Sequence, residues 1–119
     1  MSAERMGEQF VLALDVGGTV TRAILLNKVG RVYDRTYITT DTVSSEEGMM
    51  EHDPEQLWQS VQSVMLSLIE KNSLMPGQIS GLGISVQRAT FCLWDKHSGK
   101  PCTNLSVGRT FGRRNRRTK

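Results

Sequence analysis

Between Asp15 and Arg22 the chain sets down a carboxylate, a glycine pair, a hydroxyl and a guanidinium: Asp15, Gly17, Gly18, Thr19 and Arg22. These residue types suit the handling of phosphate oxygens. Glycines let neighbouring backbone N–H groups converge on an anion. Thr19 adds a hydroxyl donor, Arg22 a cationic fork, and Asp15 an anionic oxygen for a hydrated Mg²⁺. The same residues also admit a plain reading, in which the glycines only let a tight hairpin turn. A second polar pair, Gln87-Arg88, ends an apolar run from Ile79 to Val86. A buried strand that ends this way aims the pair into a cleft, or else simply into water.

The elements around these residues are legible. Two apolar runs, Phe10 to Asp15 and Val20 to Asn27, flank the glycines and read as a hairpin. A turn at Lys28 to Arg31 and a Val-, Tyr-, Thr- and Ile-rich run from Val32 to about Thr40 extend it to a three-stranded meander. Asp41 to Glu47 is polar and reads as a loop, with Gly48, Met49 and Met50 leading out of it. Asp53 as N-cap, Pro54 at the first helical position and Gln56 as the second half of a capping box predict a helix start. Leu57, Trp58, Val61, Val64, Met65, Leu68 and Ile69 then recur at three- and four-residue spacing and make one buried stripe. Trp58 and Met65 read as core on that stripe, not as a cofactor box. Lys71 lies near the end, and Pro76-Gly77 bars continuation. Ile79 to Val86 is a fourth strand, with Gly81 and Gly83 thinning it for close approach of a backbone or ligand. Phe91 to Trp94 reads as a further short strand, and Asp95 to Pro101 as a turn.

A length of 119 residues suits one domain with one core, and 38% hydrophobic content is low but workable. No segment reaches the roughly 18 apolar residues of a membrane span. The polar segment Met1 to Gln9 lacks the apolar stretch of a secretory signal and is expected to be disordered. Cys92 and Cys102 make neither a metal spacing nor a disulfide framework. A cytoplasmic location is the default expectation. The net charge of +3 is uneven, because Arg109, Arg113, Arg114, Arg116, Arg117 and Lys119 crowd the last twelve residues with no acid among them. Without those six cations the charge becomes −3, so the basic character belongs to a tail. Such a tail attracts nucleic acid or anionic lipid only nonspecifically.

Three local patterns occur in one order: Asp15-Val16-Gly17-Gly18-Thr19 through Arg22, Gly48-Met49-Met50-Glu51-His52-Asp53-Pro54, and Gly81-Leu82-Gly83-Ile84-Ser85-Val86-Gln87-Arg88-Ala89-Thr90. With Leu93-Trp94-Asp95-Lys96 and Gly99-Lys100-Pro101, the stretch from Phe10 to Asn104 resembles the N-terminal portion of the FGGY carbohydrate kinases. Within that family, Gln87-Arg88-Ala89-Thr90-Phe91 resembles a glycerol kinase-like branch. The resemblance implies an α/β fold: an incomplete ribonuclease H-like (actin-like ATPase) lobe holding the meander, the helix and further strands. It also implies a phosphotransferase that moves the γ-phosphoryl group of ATP to a hydroxyl of a polyol or sugar. Gly17, Gly18, Thr19 and Arg22 would then lie by the nucleotide phosphates, Asp15 would hold Mg²⁺ through water, and Gln87 and Arg88 would face the substrate. Phosphoryl transfer relies mainly on positioning and charge stabilisation, which donors of this sort supply.

The chain departs from the family pattern at three places. Ala89 stands where glycerol kinases usually carry Glu, which removes a carboxylate for a polyol hydroxyl and argues against glycerol itself. Met49 stands where the family has Trp, a change of packing. After Asn104 the family's Trp-Gln-Asp-type segment gives way to Leu105 to Lys119. The family's catalytic Asp lies far beyond this point, and no carboxylate here matches it, so the catalytic residue is unassigned and no turnover is expected of these residues. Gly108 to Asn115 can be encoded by bases that read Gln-Asp-Leu-Arg-Ala-Ala-Glu in a second frame, which points to a frame slip or alternative splice near Ser106. The expected organisation is a disordered 1–9, a partial kinase domain over 10–104 and a divergent basic tail over 105–119. Two further functions stay open: a non-catalytic product that binds a protein partner through unpaired strand edges, and a nonspecific nucleic-acid binder acting through the tail.

Overall fold

The computed structural model describes residues 7–44, 50–88 and 90–107. Their order is β1 (Phe10–Val16), β2 (Val20–Asn27), β3 (Val32–Thr39), β4 (Val43–Ser44), β5 (Met50–His52), α1 (Pro54–Lys71), β6 (Ile79–Val86), β7 (Thr90–Phe91) and β8 (Leu105–Val107). The main sheet runs β3-β2-β1-β6. Its first three strands are the antiparallel meander that the sequence predicts. β6 adds parallel to β1, in a register that sets Asp15 beside Ser85 and Val16 beside Val86. A parallel neighbour needs a long crossover, and α1 supplies it.

Alternation along the strands decides which face meets the helix. Phe10, Leu12, Leu14 and Val16 of β1 point to one side, with Ala23 and Leu25 of β2 beside them, and all are buried. Val61, Val64 and Leu68 of α1 close over that face, and Leu57, Met65 and Ile69 pack at its margin, whereas Trp58, expected on the buried stripe, lies on the flank of the helix and is exposed. Burying a side chain of this size contributes about 1.5–3 kcal/mol, so this layer carries most of the hydrophobic stabilisation. The Phe10 and Tyr33 rings meet at 5.0 Å and seal the β3 side.

The helix ends are set by individual residues. The Asp53 carboxylate accepts the Glu55 N–H at 3.0 Å, while Gln56 lines a groove beside β3 instead of closing the predicted capping box. At the other end, the Ser73 N–H donates to the Glu70 carbonyl and the Leu74 N–H to the Ile69 carbonyl. That is a Schellman closure, with Ser73 at φ +52° in the position that glycine favours. Asp34 on β3 ties this end down, accepting from Lys71 Nζ at 3.1 Å and from Asn72 Nδ2 at 2.9 Å.

A second, small sheet runs β4-β5-β8-β7. The sequence pattern predicts a loop over 41–47 and a tail from Leu105, whereas the structure draws β4 and β8 from these segments. Strands of two or three residues carry no readable period, and here they exist only through pairing with β5 and β7. The strand expected over Phe91 to Trp94 is divided: Phe91 belongs to β7, and Trp94 bridges to Pro101 across a turn at Asp95 to Ser98. The expectations for Met1 to Met6, for 45–47 of the expected loop, for Gly48-Met49, for Ala89 and for the tail beyond Val107 lie outside the described residues. Among the described residues no helix is long and apolar enough to cross a membrane.

Candidate functional site

The parallel pairing of β1 with β6 brings two chain reversals to the same edge of the sheet. Gly17-Gly18 leaves the carboxyl end of β1, and Gln87-Arg88 leaves the carboxyl end of β6. Crevices at the carboxyl ends of strands are where open α/β sheets bind ligands. Here the crevice has a volume of about 620 Å³ and is lined by Asp15, Val16, Gly17, Gly18, Val86, Gln87 and Arg88.

Five of the seven residues predicted from sequence therefore share one cavity. Arg22 joins it through Asp15: the two residues are opposite each other in the β1–β2 ladder, and Arg22 Nη1 lies 3.4 Å from Asp15 Oδ2. Both side chains are about half exposed, so the pair contributes about 0–1 kcal/mol and exchanges partners easily. Thr19 stands exposed at the tip of the hairpin, outside the cavity lining, with its carbonyl accepting the Thr40 N–H at 2.7 Å.

The turn itself is tighter than freedom at φ requires. The Gly17 N–H donates to the Val20 carbonyl at 3.0 Å, and a Cβ on Gly17 would come within 2.8 Å of that oxygen. Gly17 is thus needed for close approach, and its amide is engaged inside the hairpin. The Gly18 and Thr19 amides are the donors that the turn can offer to an anion. Across the cavity, the Thr90 hydroxyl contacts Gln87 Oε1 at 3.3 Å and the Arg88 carbonyl at 3.4 Å, which folds the segment after β6 back on itself. The sequence pattern gave no role to Thr90. Its signal is only a hydroxyl three residues after Gln87, a spacing that suits a turn-closing side chain.

Among the described residues no backbone approaches Gly81 or Gly83 closely, since a Cβ on either would meet nothing within 4 Å. Val16 and Val86 were legible only as strand residues, yet they form the floor of the cavity because both strands end there. The described residues hold no cluster of three or more metal-ligating side chains. Asp15 offers a single carboxylate, which fits a hydrated Mg²⁺ held mainly by water and phosphate better than a closed protein cage.

The model of the FGGY family of carbohydrate kinases, N-terminal domain, matches residues 10–110. A glycerol kinase of Bacillus licheniformis is 40% identical over 100 residues, which cover 84% of this chain and 20% of the relative. Among solved structures, a gluconate kinase from Lactobacillus acidophilus superposes with a TM-score of 0.74 at 22% identity, over 85% of this chain and 20% of that one. The Plasmodium falciparum glycerol kinase with ADP superposes with a TM-score of 0.73 at 22% identity, over 84% and 20%. These likenesses give the fold, part of a ribonuclease H-like lobe. The chain spans about a fifth of the length of the relatives it matches.

Proposed function

The chain belongs to the FGGY family of carbohydrate kinases, and on that premise we propose that it forms the phosphate-facing and substrate-facing wall of an ATP-dependent kinase for a polyol or sugar. The observation that carries this reading is the shared cavity, where the Gly17-Gly18 turn and the Gln87-Arg88 pair arrive from the ends of adjacent parallel strands. ATP and Mg²⁺ supply the γ-phosphoryl group and the charge that screens it. The rest of the chemistry on this wall belongs to its own residues.

Asp15 is the one carboxylate lining the cavity among the described residues, and a hydrated Mg²⁺ would replace Arg22 as its partner. That exchange leaves the Arg22 guanidinium, with its five N–H donors, free to meet phosphate oxygens. The Gly18 amide at the cavity, and the Thr19 amide and hydroxyl at the exposed hairpin tip beside it, would donate to the same anion. Arg88 and Gln87 donate to hydroxyl oxygens from the opposite side. Glycerol is the weaker substrate candidate, because Ala89 follows Arg88 where a carboxylate would accept a hydroxyl proton. Among the described lining residues only Asp15 can take a proton from the attacking hydroxyl, and Mg²⁺ would occupy that group. The described residues are therefore proposed to bind and orient nucleotide and substrate.

The test is a titration of Mg-ATP followed by amide NMR on the 119-residue chain. Gly18, Thr19 and Arg88 signals should move at millimolar nucleotide, because one wall gives weak affinity. The shifts should shrink in Asp15→Asn. Shifts scattered over the molecule, or none at millimolar concentration, would remove the reading.

A further inference from the structure

The residues of β6 that share a face with the core are exposed. By register, Leu82, Ile84 and Val86 lie on the same side of the sheet as Leu12, Leu14 and Val16. The β1 residues are buried under α1, yet Leu82 is 53%, Ile84 62% and Val86 65% exposed. The cause is where the helix sits. Asp34 fixes its C-terminal end on β3, and its backbone runs nearest β2 and β3, so its apolar face reaches β1 and leaves Leu82, Ile84 and Val86 uncovered. β6 is also the last strand of the sheet, so one row of its backbone N–H and C=O groups faces outward.

The space beside α1 has walls as well as a floor. Gln56, Ser60 and Ser63 line the groove against β3. At about 100° per residue, Trp58, Met65 and Ile69 fall on the opposite flank of the helix, toward β1 and β6. Trp58 is 55% exposed there. At one end the trough closes in a cavity of about 180 Å³ lined by Val16, Leu57, Val86, Gln87, Thr90 and Leu105. Packed helices lie roughly 8–10 Å apart and strands about 4.8 Å apart. A second helix beside α1 would therefore sit two strands over, on β1 and β6.

We propose that this trough docks a helix-and-strand unit from the remainder of an FGGY kinase supplied as a separate polypeptide, so that one sheet is completed across two chains. Three observations choose that occupant. The outward edge of β6 asks for a strand, while the stripe Leu82-Ile84-Val86 asks for an apolar helix. A right-handed crossover from a strand on this edge places a helix on one face, and only the α1 side of β6 is apolar, since its other face presents Gly81, Gly83 and Ser85. A second copy of this chain fits poorly: among the described residues it has one helix, and the apolar face of that helix already covers β1 and β2. Four-fifths of each matched kinase lies beyond the region that aligns with this chain, which leaves ample polypeptide to provide both elements. The proposal rests on the family membership and not on nucleotide binding.

The experiment co-expresses the tagged 119-residue chain with the Bacillus licheniformis glycerol kinase deleted for its aligned 100 residues. The expected result is recovery of the deleted kinase in soluble form and its co-elution with this chain at one-to-one stoichiometry. Ile84→Asp and Leu82→Asp should weaken the complex by about tenfold or more, the loss typical of a buried interface anchor. Val29→Asp, on the exposed β2–β3 turn, should leave it unchanged. Circular dichroism should show both β6 variants folded, because the substituted side chains are exposed in the free chain. The intact kinase should not bind. Failure of the deleted kinase to co-elute, or co-elution indifferent to Ile84→Asp, overturns the proposal, as does a homodimer that Ile84→Asp dissolves. A complex without Mg-ATP shifts at Gly18 and Thr19 would sink the nucleotide reading while leaving this one standing.

Discussion

Gly17 carries the tightest steric requirement at the candidate site. The Val20 carbonyl oxygen lies 2.8 Å from where its Cβ would be, and that oxygen belongs to backbone that cannot swing aside. Gly17→Ala should therefore cost about 1–3 kcal/mol, read as a lower urea midpoint with an unchanged slope. Ser73 shows the opposite case. It holds φ +52° at the helix C-terminus, where a side chain costs about 1–2 kcal/mol and glycine nothing. Ser73→Gly should raise stability by about 0.5–1 kcal/mol once the extra freedom of glycine in the unfolded chain is deducted. A thermal melt showing no gain would mean that the Schellman closure does not form. The two sites also differ in how much the sequence reveals. Gly17-Gly18 between two β-rich runs announces a turn, and Asp15 and Arg88 stand out by type. Nothing in the sequence says that the Gly17 amide is engaged by Val20, because that depends on the path of the turn and not on its composition.

At the scale of elements, α1 was the most legible part, since Asp53, Pro54 and the stripe through Val61, Val64 and Leu68 mark it, although Gln56 closes no capping box and Trp58 stands outside the buried stripe. What the sequence could not place was the strand to which the helix is tied. Asp34 settles that, and it gives the anchor a pH dependence. Burial alone pushes its carboxyl pKa up, but the Asn72 amide, the Arg35 N–H and the Lys71 ammonium outweigh burial and bring it below the ordinary 3.8. A carboxyl with a lowered folded pKa stabilises the fold above its unfolded value, and that share is lost as pH falls through the folded value. Asp34→Asn should thus cost about 1–2 kcal/mol at pH 7, where a hydrogen-bonded charge is removed. The wild type and the variant should converge as pH drops below about 4, the unfolded value for aspartate. Urea melts at pH 7, 4 and 3 check this, and a constant gap across the three would show that the anchor is steric. The small second sheet was illegible for a different reason: β4, β5, β7 and β8 are two or three residues each and come from four separate segments.

The whole molecule joins a well-covered half to a bare one. β1 and β2 lie between neighbours in the sheet and under α1, whereas β6 has a partner on one side and open space above Leu82, Ile84 and Val86. Stability should follow that division, because regions with few buried contacts and open backbone groups unfold locally at low cost. Hydrogen exchange makes the expectation specific. Amides of Leu12, Leu14, Ala23 and Leu25, together with Val64 and Leu68 on the helix, should exchange only through global unfolding. Along β6, protection should alternate: amides that donate to β1 should be slow, and those on the outward edge should approach the unfolded rate. The short strands of the second sheet should open before either. Uniform protection along β6 in the isolated chain would show that something already covers the edge, and self-association would have to be measured next. Alternating protection that becomes uniform only when the deleted kinase is present would tie the bare edge to the part of the relative that lies outside the aligned 100 residues.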